Sequence, residues 1–140
     1  MFYLDTSLLV TALSNESQTV QAQRWLAEQA SRGLVTSQWT VSEFASALAL
    51  KRRIGHLQQD DVEATQHLWH LLRRKSLVVH PVEAKDFDRA AELVFLSRTA
   101  LKAGDALHLA VIERIGAILA SRDKGMIEAA MSLGIVAVLL

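Results

Sequence analysis

The sequence predicts an α/β fold, a parallel sheet flanked by helices, from three observations. Short apolar runs of four or five residues alternate with longer segments of helical periodicity, the pattern of βαβ units. Those short runs are apolar throughout rather than alternating, as expected of strands covered on both faces. One proline and six glycines leave room for few turns.

Taken in order, Phe2 to Asp5 reads as a buried strand that feeds directly into a helix, Thr6 to Leu13. Ser14 to Ser17 reads as a capped loop. Val20, Trp25, Leu26 and Ala30 recur at near-helical spacing, so Gln18 to Arg32 is expected to be helix, stopped by Gly33. Leu34 to Ser37 is the second strand. Helices follow at Thr40 to Ile54 and Gln58 to Lys75, the latter with Val62, Leu68, Trp69 and Leu72 facing inward. Leu77 to His80 is the third strand, stopped by Pro81. Ala84 to Thr99 is helix, Leu101 to Gly104 loop, and Asp105 to Arg114 a strongly apolar helix. Ala117 to Ala120, Lys124 to Leu133 and Ile135 to Leu139 complete the chain as strand, helix and strand. No repeat or linker interrupts residues 1–140, so one domain is expected.

Composition narrows the classes. At 51% hydrophobic and 21% charged residues the chain is no disordered segment. The absence of cysteine excludes disulfides and thiolate metal sites and is compatible with a cytoplasmic location. No secretory signal is visible, and no apolar run approaches the roughly 18 residues of a membrane span. Lysine plus arginine equals aspartate plus glutamate, at 15 each, so net charge gives no footprint for nucleic acid. The basic residues nevertheless cluster at Lys51-Arg52-Arg53, at Arg73-Arg74-Lys75, and at Arg98 with Lys102. Solvated helix ends account for each cluster, with phosphate contact as the alternative for at least one.

Four carboxylates interrupt apolar stretches: Asp5, Glu43, Asp105 and Asp123. Acids enter a fold when paired or metal-bound. Asp5 and Asp123 end strands, where open parallel sheets bind ligands, and neighbouring first and fourth strands would set them side by side. At roughly 100° per residue, Glu43 shares a helix face with Ala47, Leu50 and Ile54 rather than with Ser42, Ser46 and Arg53. Capping explains Asp5, Asp105 and Asp123 singly; it does not explain Glu43 in mid-helix. Four acids held together repel one another, and a hard divalent cation relieves this. Oxygen ligands suit Mg²⁺ or Mn²⁺, one ion or two, and two ions about 3.5–4 Å apart can serve phosphodiester hydrolysis. Thr6 and Ser121 flank the acids as supporting hydroxyls, whereas Ser7 reads as a helix cap. His108, one turn after Asp105, reads as a core histidine with a local hydrogen bond in preference to a partner of that acid. Trp25, Trp39 and Trp69 read as core or subunit interface.

Phe2-Tyr3-Leu4-Asp5-Thr6-Ser7, Val41-Ser42-Glu43, Gly104-Asp105-Ala106-Leu107-His108-Leu109-Ala110 and Ser121-Arg122-Asp123 together resemble the four acidic motifs of PIN-domain nucleases. Their order and the chain length are similar to the VapC-type toxins of toxin–antitoxin pairs. The resemblance implies a five-stranded parallel sheet of order 3-2-1-4-5. It also implies a Mg²⁺- or Mn²⁺-dependent endoribonuclease that cuts tRNA or rRNA. A homodimer, a cognate antitoxin covering the active site, and contact with operator DNA only through the antitoxin complex follow from it too. By position, Asp5 and Asp105 would bind metal directly, Asp123 would complete the site, and Glu43 would bind metal or place the attacking water in an in-line displacement. Ser121 falls where the family often has a supporting hydroxyl. Lys124-Gly125-Met126 departs from the family pattern: Lys124 would pair with Asp123 or hold a substrate phosphate. The alternative is a PIN-like binding module that acts with a partner on DNA and has negligible nuclease activity. An aspartyl-phosphate enzyme or receiver domain ranks lower, because Ser7 and His80-Pro81 stand where such proteins need other residues.

Overall fold

The computed structural model describes residues 1–140. In chain order the elements are β1 (Phe2–Leu4), α1 (Thr6–Leu13), α2 (Thr19–Gln29) with a 3-10 turn at Ala30–Arg32, β2 (Leu34–Ser37), α3 (Gln38–Arg53), α4 (Gln59–Lys75), β3 (Leu77–His80), α5 (Ala84–Leu96), α6 (Ala103–Ile115), β4 (Ile118–Ser121), α7 (Lys124–Ser132) and β5 (Ala137–Leu139). The strands form one parallel sheet in the order β3-β2-β1-β4-β5. All strand carboxyl ends therefore share one edge, and β1 lies at the centre.

Alternation along the strands divides the core into two halves. Tyr3, Val35 and Leu119 face a layer built from α5, α6 and α7. Phe2, Leu4, Leu34 and Ala120 face the layer of α1 to α4, where Phe44 stacks on Trp69 at 4.7 Å. Each fully buried large side chain contributes about 1.5–3 kcal/mol. The three-residue β1 persists because its neighbours bury it on both faces. The edge strands are less covered: Val78 of β3 and Leu139 of β5 are exposed.

Several boundaries differ from the sequence expectation, each for a local reason. α3 starts at Gln38 because β2 turns into it without a loop, and Ser37 gives its hydroxyl to Tyr3 instead of capping the helix. α5 stops at Leu96 rather than Thr99, where Ser97 turns extended and its N–H closes on Leu93. Gln18 to Arg32 splits into an α-helix and a 3-10 turn. α6 begins at Ala103 with Lys102 as its cap, so Asp105 lies inside the first turn and is no N-cap. Val20 and Leu68 point to solvent, not inward. No helix is long and apolar enough to cross a membrane.

Candidate active site

Backbone register creates the first part of the site. β1 pairs with β4 so that Leu4 lies opposite Ala120, and the next residues on each strand are Asp5 and Ser121. The Ser121 hydroxyl donates to Asp5 Oδ2 at 2.7 Å. Ser7 shares its hydroxyl proton between both Asp5 oxygens, at 2.8 and 3.0 Å, and the Leu8 N–H donates to Oδ1 at 3.0 Å. Asp5 is thus a buried carboxylate held from three sides and the N-cap of α1. Burial pushes its pKa up, against the lowering effect of those donors.

Ser7 is not the helix cap expected of it; Asp5 caps α1. The Ser7 oxygen accepts the Arg122 N–H at 3.1 Å, tying α1 to the turn after β4. Ser121 likewise accepts the Asp123 N–H at 2.9 Å. Asp123 is exposed, caps α7 through Met126 N–H at 3.0 Å, and forms no ion pair with Lys124. The capping readings of Asp5 and Asp123 are therefore true, and both residues face the cleft as well.

Asp105 is half-buried, and its neighbours act on it through charge alone. Burial raises its pKa, Asp123 and Glu43 raise it further, and His108 and Lys102 oppose them.

Glu43 sits at the end of a buried hydrogen-bond chain. Its Oε2 accepts from the Thr6 hydroxyl at 2.5 Å and lies 2.5 Å from His108 Nε2. His108 Nδ1 lies 2.7 Å from the Tyr3 hydroxyl, which lies 2.7 Å from the Ser37 hydroxyl. His108 is therefore neither a locally satisfied core histidine nor a partner of Asp105; it bridges β1 and α3 from α6. Burial would raise the Glu43 pKa, but the His108 hydrogen bond and charge outweigh it and hold the carboxyl below its usual range. Burial pushes the Tyr3 phenol up to about 12, so it stays a neutral link. Both close hydrogen bonds to Glu43 fall on Oε2, and Trp39 acts on the carboxylate as a weaker donor that also lowers its pKa. A side chain at Gly104 would meet Glu43 Oε1 at 3.3 Å and Trp39 at 3.5 Å, so a glycine keeps the approach open. The Trp39 indole N–H is buried nearby and makes no close hydrogen bond.

Asp5, Thr6, Ser7, Glu43, Asp105, His108 and Asp123 line one cleft of about 510 Å³ at the strand carboxyl edge. As sequence reasoning expected, Glu43 points into a cleft, and its companions Ala47 and Leu50 line it too, whereas Ile54 is exposed and does not. No three acidic or histidine side chains converge closely enough to form a ready metal cage. The donor set nevertheless fits a hard divalent cation. It offers oxygens, its like charges raise the Asp105 pKa, and Glu43 Oε1 accepts neither of the two close bonds to that carboxylate. Mg²⁺ keeps several waters and needs only one or two direct carboxylates, so a splayed set suits it better than a tight cage would. The signals for Tyr3 and Ser37 were absent from local sequence, since their partners lie far along the chain.

The PIN-domain family model matches residues 2–131. Among solved structures, the chain is similar to Mycobacterium tuberculosis VapC20, described as a sarcin–ricin-loop-cleaving toxin, at 19% identity and TM-score 0.73, with 97% of each chain covered. It is similar to FitAcB of Neisseria gonorrhoeae at 20% identity and TM-score 0.70, covering 100% of this chain and 97% of that one. It is also similar to Rickettsia felis VapBC2 bound to a promoter DNA fragment, at 15% identity and TM-score 0.73, covering 99% and 98%. At these identities the likeness shows the fold. No curated protein sequence matches the chain.

Proposed function

The chain belongs to the PIN-domain family, and from that premise we propose that it is a divalent-metal-dependent endoribonuclease serving as the toxin of a toxin–antitoxin pair. The observation that carries this reading is the cleft itself: Asp5, Glu43, Asp105 and Asp123 all line it, and no lysine or arginine pairs with any of them. Residues 1–140 act as one nuclease unit in the cytoplasm.

Asp105 and Asp5 would hold Mg²⁺ or Mn²⁺, one ion or two, with Asp123 completing the set and Glu43 reaching it through Oε1 or water. When bound, the cation supplies charge stabilisation at the phosphoryl group and a more acidic water. Ser121 and Ser7 orient Asp5. Thr6 and His108 fix Glu43 Oε2, so Oε1 is left to accept a hydrogen bond from the attacking water and place it in line with the phosphodiester. The depressed Glu43 pKa keeps that oxygen ionised.

The RNA class is supported by VapC20, a sarcin–ricin-loop-cleaving toxin; tRNA or rRNA is the substrate proposed here. Structures of FitAB on a DNA fragment and of VapBC2 on promoter DNA support a cognate antitoxin and operator contact through it. Phe87 and Val94 are exposed on one face of α5 with Phe95 beside them, an apolar face that a second copy would cover in a homodimer.

The test is incubation of wild type and Asp105→Asn with total cellular RNA, in Mg²⁺ or Mn²⁺ and in EDTA. Discrete fragments made by wild type alone, and suppressed by EDTA, are expected. Equal patterns from folded wild type and variant would replace this reading with the binding module acting on DNA through a partner.

A further inference from the structure

The cleft has an inner end crowded with acids and an outer end with one cation. Lys51 lies on α3 a little over two turns past Glu43, or about 12 Å along the helix axis. It is the only lysine or arginine lining the cleft. Its Nζ is 2.6 Å from Glu16 Oε1, which reaches across from the turn after α1, and both side chains are about a third exposed, at 27% and 31%. The basic triplet is thus not one patch. Arg52 and Arg53 face solvent, and Arg52 bonds Gln59 at 3.0 Å.

A polyanion entering this cleft meets Asp5, Glu16, Glu43, Asp105 and Asp123. Bound cations offset the inner acids and leave the outer end to Lys51. A pair this exposed is worth only about 0.2–1 kcal/mol, so exchanging the Glu16 carboxylate for a phosphate costs little. The phosphate offers the ammonium an equivalent charge-assisted bond. With the scissile group among the inner acids, a strand leaving along α3 brings a neighbouring phosphate past Lys51.

We propose that Lys51 binds a non-scissile backbone phosphate of the RNA strand, and that Glu16 competes for it, parking the lysine in the cleft when no RNA is present. This rests on the ribonuclease reading above. Removing either partner of a merely structural ion pair should have one sign. Removing a ligand and its competitor should have opposite signs.

The experiment titrates fluorescein-labelled, alkali-fragmented total RNA with the full chain in Mg²⁺, carrying Asp105→Asn to prevent cleavage, and follows anisotropy. Lys51→Gln should weaken binding about tenfold, reduce the slope of log affinity against log salt by about 0.7, and be rescued by Lys51→Arg. Glu16→Gln should tighten binding several-fold. In chains retaining Asp105, the Lys51→Gln loss should fall on KM rather than kcat. If both variants lower the melting temperature alike and shift RNA binding in the same direction or not at all, while wild type still cuts RNA, this inference is overturned and the nuclease reading stands. A wild type that neither binds nor cuts RNA overturns both.

Discussion

Two regions of this molecule bury carboxylates, and they do so in opposite ways. Asp86, in the first turn of α5, is 2% exposed and receives Arg114 at 2.7 and 2.9 Å from α6, with the Glu83 N–H at 2.8 Å. Burial alone would raise its pKa; the Arg114 bonds outweigh burial and hold it below the usual carboxylate range. Asp5, 3% exposed, and half-buried Asp105 have no such cation, and burial drives both upward. A buried acid is therefore no mark of a site by itself. What distinguishes the cleft is that its charge is left for something outside the chain to balance, whereas α5 and α6 neutralise theirs internally.

The largest expected effect breaks the compensated region. Arg114→Ala strands the Asp86 charge and removes the bond to the Pro81 carbonyl. Urea unfolding should show a loss of about 3 kcal/mol, with the cleavage rate per folded molecule unchanged. A near-neutral result would mean that Asp86 is balanced by something other than Arg114.

Asp105→Asn is the opposite case. Cleavage should fall at least ~100-fold, while stability in EDTA stays level or rises by about 1 kcal/mol as repulsion from Asp123 and Glu43 is relieved. Mg²⁺ should raise the melting temperature of wild type more than that of this variant, which keeps Asp5, Glu43 and Asp123. A stability loss like that of Arg114→Ala would erase the contrast between the regions.

His108→Phe keeps the ring volume but releases Glu43 and Tyr3. It should lower kcat roughly 10- to 100-fold, the range seen for residues that orient ligands from behind. Tyr3→Phe, one link further back, should cost less activity and about 1 kcal/mol of stability. Equal activity in both variants and wild type would show that Glu43 needs no bracing.

The smallest effect is in pH dependence, whose sign sets Asp5 and Asp105 against Asp86 and, within the cleft, Glu43. Asp5 and Asp105 have raised pKa values in the folded chain, so their ionisation opposes folding and the penalty lifts as pH falls through those raised values. Asp86 has a lowered one, so its contribution is present above the unfolded value and is lost as pH falls through the folded value. Stability in EDTA should therefore rise slightly on acidification from neutrality and then collapse below the ordinary carboxylate range. Thermal melts across pH that decline steadily from neutrality would contradict this order.

The element sequence was legible because each strand is a short apolar run and each helix has its own periodicity; Leu77 to His80 needed nothing more. The Ser37 end of β2 was legible, whereas α3 was placed two residues late, at Thr40 instead of Gln38, because β2 turns into it without a loop. Asp5 and Asp123 were placed by their positions at strand ends, and the mid-helix place of Glu43 on an apolar face led to the cleft. His108 was read as a core histidine, and it is buried, but the local hydrogen bond expected of it is absent: its partners lie 65 and 105 residues away. Asp86 passed unnoticed in the charged stretch Lys85-Asp86-Phe87-Asp88, since Arg114 comes 28 residues later. Pairing across the fold leaves no local trace in composition.

Asp5 and Asp123 each start a helix with the same carboxylate that faces the cleft. Asparagine caps a helix about as well as aspartate but carries no charge, and one base change converts either aspartate codon into an asparagine codon. The genetic path from an armed protein to a silent one of the same shape is thus a single step at either position. A lineage can lose the chemistry while keeping every surface by which its partners know it, and the sequence would betray the change at one letter.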